Sequence, residues 1–161
     1  MDFGCGKYSK YKRISGIYLG FDVEPEIVSW LKHKNCFFDF WNENKKFDVV
    51  VAQSVLEHID LKERLKFFGR VKALMTKKSV LVLVYPNPVG FNLLEYWKDG
   101  THLLPLHWDL TEKQLKEFGF SVESFLVGVS IYPLTKLMRI IDCVLLGFPI
   151  QHTVIHFARL K

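Results

Sequence analysis

Asp2-Phe3-Gly4-Cys5-Gly6, followed by Ile17-Tyr18-Leu19-Gly20-Phe21 and then Asp22, is the stretch that decides the fold of this chain. A glycine turn, then an apolar run closed by an acid, reads as a nucleotide-binding β-turn-α-β unit. Glycines let backbone N–H groups approach a ligand closely, and a carboxylate about 20 residues further on accepts from ribose hydroxyls. A lone Gly-x-Gly is a short signal, so the rest of the chain has to carry the same reading. Only Met1 to Phe3 lead into the glycines, and the first strand is therefore expected to be truncated.

Downstream, strand-like and helical runs alternate. Glu24-Pro25 opens a helix, proline being tolerated at the first helical position, with Ile27, Val28 and Leu31 on one face. Cys36-Phe37-Phe38 reads as a short strand ending at Asp39, and Phe47-Asp48-Val49-Val50-Val51-Ala52 as one buried in a parallel sheet. Asp60 and Glu63 cap a helix over 61–76, with Leu61, Leu65, Phe68, Val71 and Met75 at helical spacing. A buried strand over 79–84 is stopped by Tyr85-Pro86-Asn87-Pro88. Thr111 with Gln114 predicts a second capping box, for a short helix ending at Gly119, and 120–127 and 153–160 are the last strand candidates. The alternation predicts a single α/β domain over 1–161, a Rossmann-like, mostly parallel sheet with helices on both faces. In such sheets ligands sit at the carboxyl ends of the strands. Gly4 to Gly6, Asp22, Asp39, Gln53 and Tyr85 to Asn87 all follow a strand candidate and are expected to form one rim; the plainer reading is that loops are polar.

The composition bounds the function. The chain has 161 residues, 49% apolar and 24% charged, with fourteen phenylalanines and four tryptophans, which suits one domain with a full core or an aromatic-lined pocket. The net charge of +5 is spread over scattered lysines, a solvated surface more than a nucleic-acid patch. Cys5, Cys36 and Cys143 make no pair spacing, and no apolar run reaches the roughly 18 residues of a bilayer span, so a cytoplasmic protein is expected.

These residues resemble the class I S-adenosylmethionine-dependent methyltransferases, especially the small-molecule group. Asp2-Phe3-Gly4-Cys5-Gly6 is similar to that family's glycine motif, Gly20-Phe21-Asp22 to its ribose-binding acid, and Phe47 through Ile59, with Gln53-Ser54-Val55-Leu56-Glu57-His58, to its fourth strand and following turn. Leu110-Thr111, Leu115 and Gly119-Phe120 are similar to the segment entering its sixth strand. The resemblance implies an antiparallel final strand and S-adenosylmethionine as cofactor, leaving as S-adenosylhomocysteine. It also implies that Gly4 and Gly6 pass close to the methionyl part while Asp2, with Cys5 in the same loop, orients the turn. Asp22, with Val23 beside it, would take the ribose, Asp39 the adenine amino group with Phe40 at the ring, and Gln53 the methionyl ammonium. The chain departs from the family at Lys7-Tyr8, where a third glycine is usual, and at Thr76-Lys77-Lys78 before the fifth strand.

Methyl transfer from a sulfonium is served mainly by alignment and water exclusion, and a base helps only where the acceptor loses a proton. His58 and His102 are the candidates, with Glu57 and His107 behind them; each also reads as a packed or satisfied loop residue. No metal is expected, since no Cys-x-x-Cys or similar spacing joins His102 and His107 to a cysteine. Residues 131–150 read as an apolar helical insert with Lys136, Arg139 and Asp142 in a narrow polar stripe. A lid over a greasy acceptor, a dimer face, a membrane-surface contact and a packed insert all remain open. The expected function is methyl transfer to an O, N or C atom of a small, apolar acceptor. The alternative is a non-catalytic relative that keeps the fold as a binding or scaffolding module.

Overall fold

In the computed structural model, which describes residues 1–7, 11, 16–88, 96–103, 105–127 and 153–161, the opening runs become two strands of two residues each, β1 (Asp2–Phe3) and β2 (Gly20–Phe21). They are followed by α1 (Pro25–His33), β3 (Phe47–Gln53), a 3-10 turn (Leu56–His58), α2 (Leu61–Leu74), β4 (Met75–Pro86), α3 (Trp108–Glu117), β5 (Phe120–Val127) and β6 (Thr153–Leu160). The helical insert expected over 131–150 lies outside the described residues, as does Cys143.

One six-stranded sheet runs in the order β2-β1-β3-β4-β6-β5. The first four of these are parallel, and β6 is antiparallel to both β4 and β5, as expected. The segment at 36–38 supplies only one parallel bridge, Phe37 to Gly20, because β2 is too short to template a ladder.

Gly20 and Phe21 point to opposite sides of the sheet, and this separates the helices. A Cβ on Gly20 would lie 2.8 Å from Cys5 Sγ and 3.1 Å from Leu31 of α1, so only glycine lets α1 pack so close. Phe21 instead joins Phe3, Phe40 and Phe67 in the larger core on the α2 and α3 side. Asp60 caps α2 as expected, its carboxylate accepting from the Glu63 amide at 2.9 Å. The buried face of α2 differs from the expected one: Arg64, Phe67, Phe68, Val71 and Leu74 are buried, whereas Leu61 and Leu65 are 47% and 38% exposed. The helix also stops at Leu74, because Met75 is extended and already paired with Phe47. Thr111 is no cap: α3 starts a turn earlier, and the buried Thr111 hydroxyl donates back to the His107 carbonyl at 3.4 Å. Gly119 takes the expected left-handed conformation at φ +88. No helix among the described residues is long and apolar enough to cross a membrane.

A buried proton chain joins β4, β6, β5 and α3. The Ser124 hydroxyl donates to the Glu112 carboxylate, which can only accept, so its oxygen takes the His156 Nδ1–H at 2.8 Å. His156 Nε2 is then left to accept from the Tyr85 hydroxyl at 2.7 Å. With His156 neutral each of these bonds has a donor and an acceptor, and burial lowers the His156 pKa from 6.5 to about 4. Below pH 6.5 the unfolded chain binds a proton that the folded chain refuses, so this contribution is complete above pH 6.5 and is lost as pH falls toward 4. The loss is about 3 kcal/mol for a shift of this size. His156→Gln retains a donor and an acceptor but cannot titrate; in urea melts, its stability deficit at neutral pH should shrink by that amount at pH 4.

Candidate functional site

The site begins where β1 and β2 end. The Gly4 amide donates to the Phe21 carbonyl at 2.8 Å, holding the glycine turn over β2. Gly4 has φ +67, and a Cβ there would lie 2.5 Å from Val55 Cγ2, so the turn and the end of β3 touch through a bare backbone. Gly6, at φ +58, has no described residue within 4 Å of where its Cβ would be. Its amide donates to Asp22 Oδ2 at 2.9 Å, while Asp22 Oδ1 accepts from the Glu24 amide at 3.1 Å. The acid and the glycines therefore face the same side of the molecule.

They open onto a cleft of about 590 Å³, within the range of small-molecule sites. Gly4 and Gly6 line it after β1, Asp22 and Val23 after β2, Ser54 and Val55 after β3; His58 and Thr101 stand at another wall. Gly4, Gly6, Asp22, Val23 and His58 are thus brought together. Asp2 and Cys5 lie behind the turn: Asp2 is buried and accepts from the Tyr18 hydroxyl at 3.2 Å. Burial pushes the Cys5 thiol up to about 11, keeping it protonated and inert.

Asp39, Phe40 and Gln53 are placed away from the cleft lining. The Asp39 carboxylate closes its own turn, accepting from the Asn42 side chain at 2.9 Å and from the Trp41 and Asn42 amides, and these donors hold it below the usual carboxylate range. Phe40 is fully buried, and the Gln53 side chain accepts from the Tyr11 hydroxyl at 2.7 Å. The aromatic residue on the wall is the neighbour, Trp41, 43% exposed. Trp41, Ser54, Val55 and Thr101 were not read from the sequence. Ser54 has a rare φ of +52, a strain of the kind that collects at functional sites.

The far wall rests on the turn Leu56–His58. The buried Arg64 guanidinium donates to the carbonyls of Leu56 and Ile59, at 3.3 and 3.1 Å, and fixes this turn on α2. The Leu103 amide donates to the Glu57 carbonyl at 2.9 Å, docking the segment that carries Thr101 and His102. His58 Nδ1 meets Thr101 Oγ1 at 2.8 Å, and His102 Nδ1 meets the Tyr96 carbonyl at 2.6 Å. The two imidazoles lie side by side, ring centres 4.8 Å apart. Burial raises the Glu57 carboxyl above its ordinary range. His107 is separate, paired with Asp109 at the start of α3.

No protein-family profile and no curated protein matches the chain. Solved structures do. A SAM-dependent methyltransferase from Archaeoglobus fulgidus is 20% identical, with 98% of this chain and 84% of that one covered at a TM-score of 0.76. An S-adenosylmethionine-dependent methyltransferase from Clostridium acetobutylicum is 13% identical, with 99% and 82% covered at 0.68. Magnesium protoporphyrin IX methyltransferase from Synechocystis PCC 6803, solved with bound SAH, is 18% identical, with 98% and 72% covered at 0.64. With a glycine turn and an acid meeting at the carboxyl ends of parallel strands, and β6 reversed beside β4, the chain has the class I S-adenosylmethionine-dependent methyltransferase fold.

Proposed function

We propose that the cleft binds S-adenosylmethionine and that the protein transfers its methyl group to a small acceptor. The reading is carried by one observation: Asp22 is hydrogen-bonded to the glycine turn and shares a single cleft with it. The fit is supported at Gly4, where a side chain would collide with Val55, and at Gly6, which leaves its side open. Asp22 keeps lone pairs beyond its two amide bonds, enough to accept from ribose hydroxyls. Trp41 and Ile27 supply an apolar wall suited to a purine, the part first assigned to Phe40. Bound there, the cofactor supplies an electrophilic methyl carbon, so the chain's own task is to align an acceptor and exclude water. His58 lines the cleft with its ring held by Thr101, and His102, itself outside the lining, packs against that ring and is held by the Tyr96 carbonyl.

Calorimetric titration with S-adenosylhomocysteine tests the reading. Saturable one-to-one binding is expected, and its absence at high concentration leaves the non-catalytic module. Asp22→Ala should weaken binding by about 1.5–3 kcal/mol, the range for hydrogen bonds to a charged group, with Asp22→Asn in between. Gly4→Ala meets both a positive φ and the Val55 contact. It should lower stability by roughly 1–3 kcal/mol in denaturant melts and reduce affinity at least about tenfold.

A further inference from the structure

Glu57, His58 and His102 hold the most unusual chemistry outside the glycine turn. A carboxylate oxygen of Glu57 and one ring nitrogen of each histidine lie within 4.8 Å of one another. Glu57 is 1% exposed, and its Oε2 is buried with no hydrogen-bond partner among the described residues. An orphaned carboxylate oxygen in such a place is costly unless a proton or a cation meets it.

The neighbouring bonds settle which nitrogens are free. The Tyr96 carbonyl can only accept, so His102 Nδ1 carries the proton it receives. Thr101 has a single hydroxyl proton, donated to Asp99 Oδ1 at 2.5 Å, so its oxygen accepts from His58 Nδ1–H. Both rings are therefore fixed with Nδ1–H pointing at an outer acceptor and Nε2 bearing a lone pair, the arrangement that orients histidines on metals. Asp99 Oδ2 stands 3.7 Å from His102 Nε2, beyond hydrogen-bond reach. Arg64 and the Leu103 amide brace the backbone of the same turn.

We propose that Glu57, His58 and His102 form a binding site for a divalent transition ion of the zinc or cobalt type, with an open coordination position at the cleft. Two imidazoles and one carboxylate suit such ions, which accept three protein ligands and leave a place for an exchangeable oxygen. Ligand atoms on an ion with bonds of about 2.1 Å stand roughly 3.4 Å apart. Each pair here has to close by no more than roughly 1.4 Å, within reach of side-chain adjustment. Because His58 lines the cleft, the open position would take a hydroxyl oxygen of the acceptor and hold it. This last role rests on the proposed methyl transfer; the metal site itself does not.

The test is a titration of tag-free protein with Co2+, followed by visible absorption, and with Zn2+ by calorimetry. One equivalent should bind with a dissociation constant at or below the micromolar range, giving the visible bands of a low-coordinate cobalt site. His58→Ala, at a part-exposed position, and His102→Ala should each weaken binding by at least tenfold. Glu57→Gln should do the same and also lose the band pattern, with circular dichroism showing that each variant remains folded. Absence of the bands, or affinity unchanged in the His58→Ala/His102→Ala double variant, overturns the site. S-adenosylhomocysteine binding by the wild type, measured in parallel without metal, distinguishes failure of this site from failure of the cofactor reading.

Discussion

The carboxylate of Asp22, accepting one amide hydrogen from Gly6 and another from Glu24, joins the loops that follow β1 and β2. Those strands are two residues long and pair with each other only through Asp2 with Gly20 and Phe3 with Phe21, while β1 pairs with β3 through Val51 and Ala52. A ladder so short cannot position a turn to the accuracy a ligand needs. Charge-assisted bonds to backbone amides are roughly twice as strong as neutral ones, and here they connect two loops in place of a longer pairing. The contact of Gly4 with Val55 adds the third support, at the end of β3.

Beneath this turn lies a cluster of rings. Phe3 sits 4.6 Å from Phe40, 4.9 Å from Phe67 and 5.0 Å from Phe21, ring centre to ring centre. Edge and tilted contacts of this kind contribute about 0.5–1.5 kcal/mol each beyond area burial. The many phenylalanines are thus used to anchor a very short central strand from one side, and Phe40 belongs to that anchor. Arg70 reinforces it, donating to the Phe40 carbonyl at 2.5 Å.

What could be read from the sequence follows from how local each determinant is. β5 and β6 were legible to the residue because both are short runs rich in apolar residues, the first set off by Gly119, and such signals are local. The meeting of the glycine turn with Asp22 was legible because their placement depends on backbone geometry at strand ends. The buried face of α2 was misread because Arg64 occupies an inward position, where its guanidinium serves two carbonyls that only the folded turn provides. Asp39 was assigned to a ligand because a strand-ending acid reads the same whether it faces a cleft or closes its own turn. The meeting of His58 with His102 depends on the docking of Leu103 on Glu57, a non-local contact without periodicity.

Electrostatics gives the cleft a preference that the whole-chain charge hides. The protein carries +5, yet the described lining residues include Asp22, Glu24 and Glu63 and neither lysine nor arginine. Clefts lined by one sign of charge focus the field, so the described lining favours cations over anions. A sulfonium carries one more positive charge than the thioether left after its methyl group departs. For the proposed cofactor, the acidic lining would therefore hold the charged form more strongly than the neutral one. It also works in the same direction as the orphaned Glu57 oxygen and the lone pairs of His58 and His102, which stand beside the wall that His58 forms.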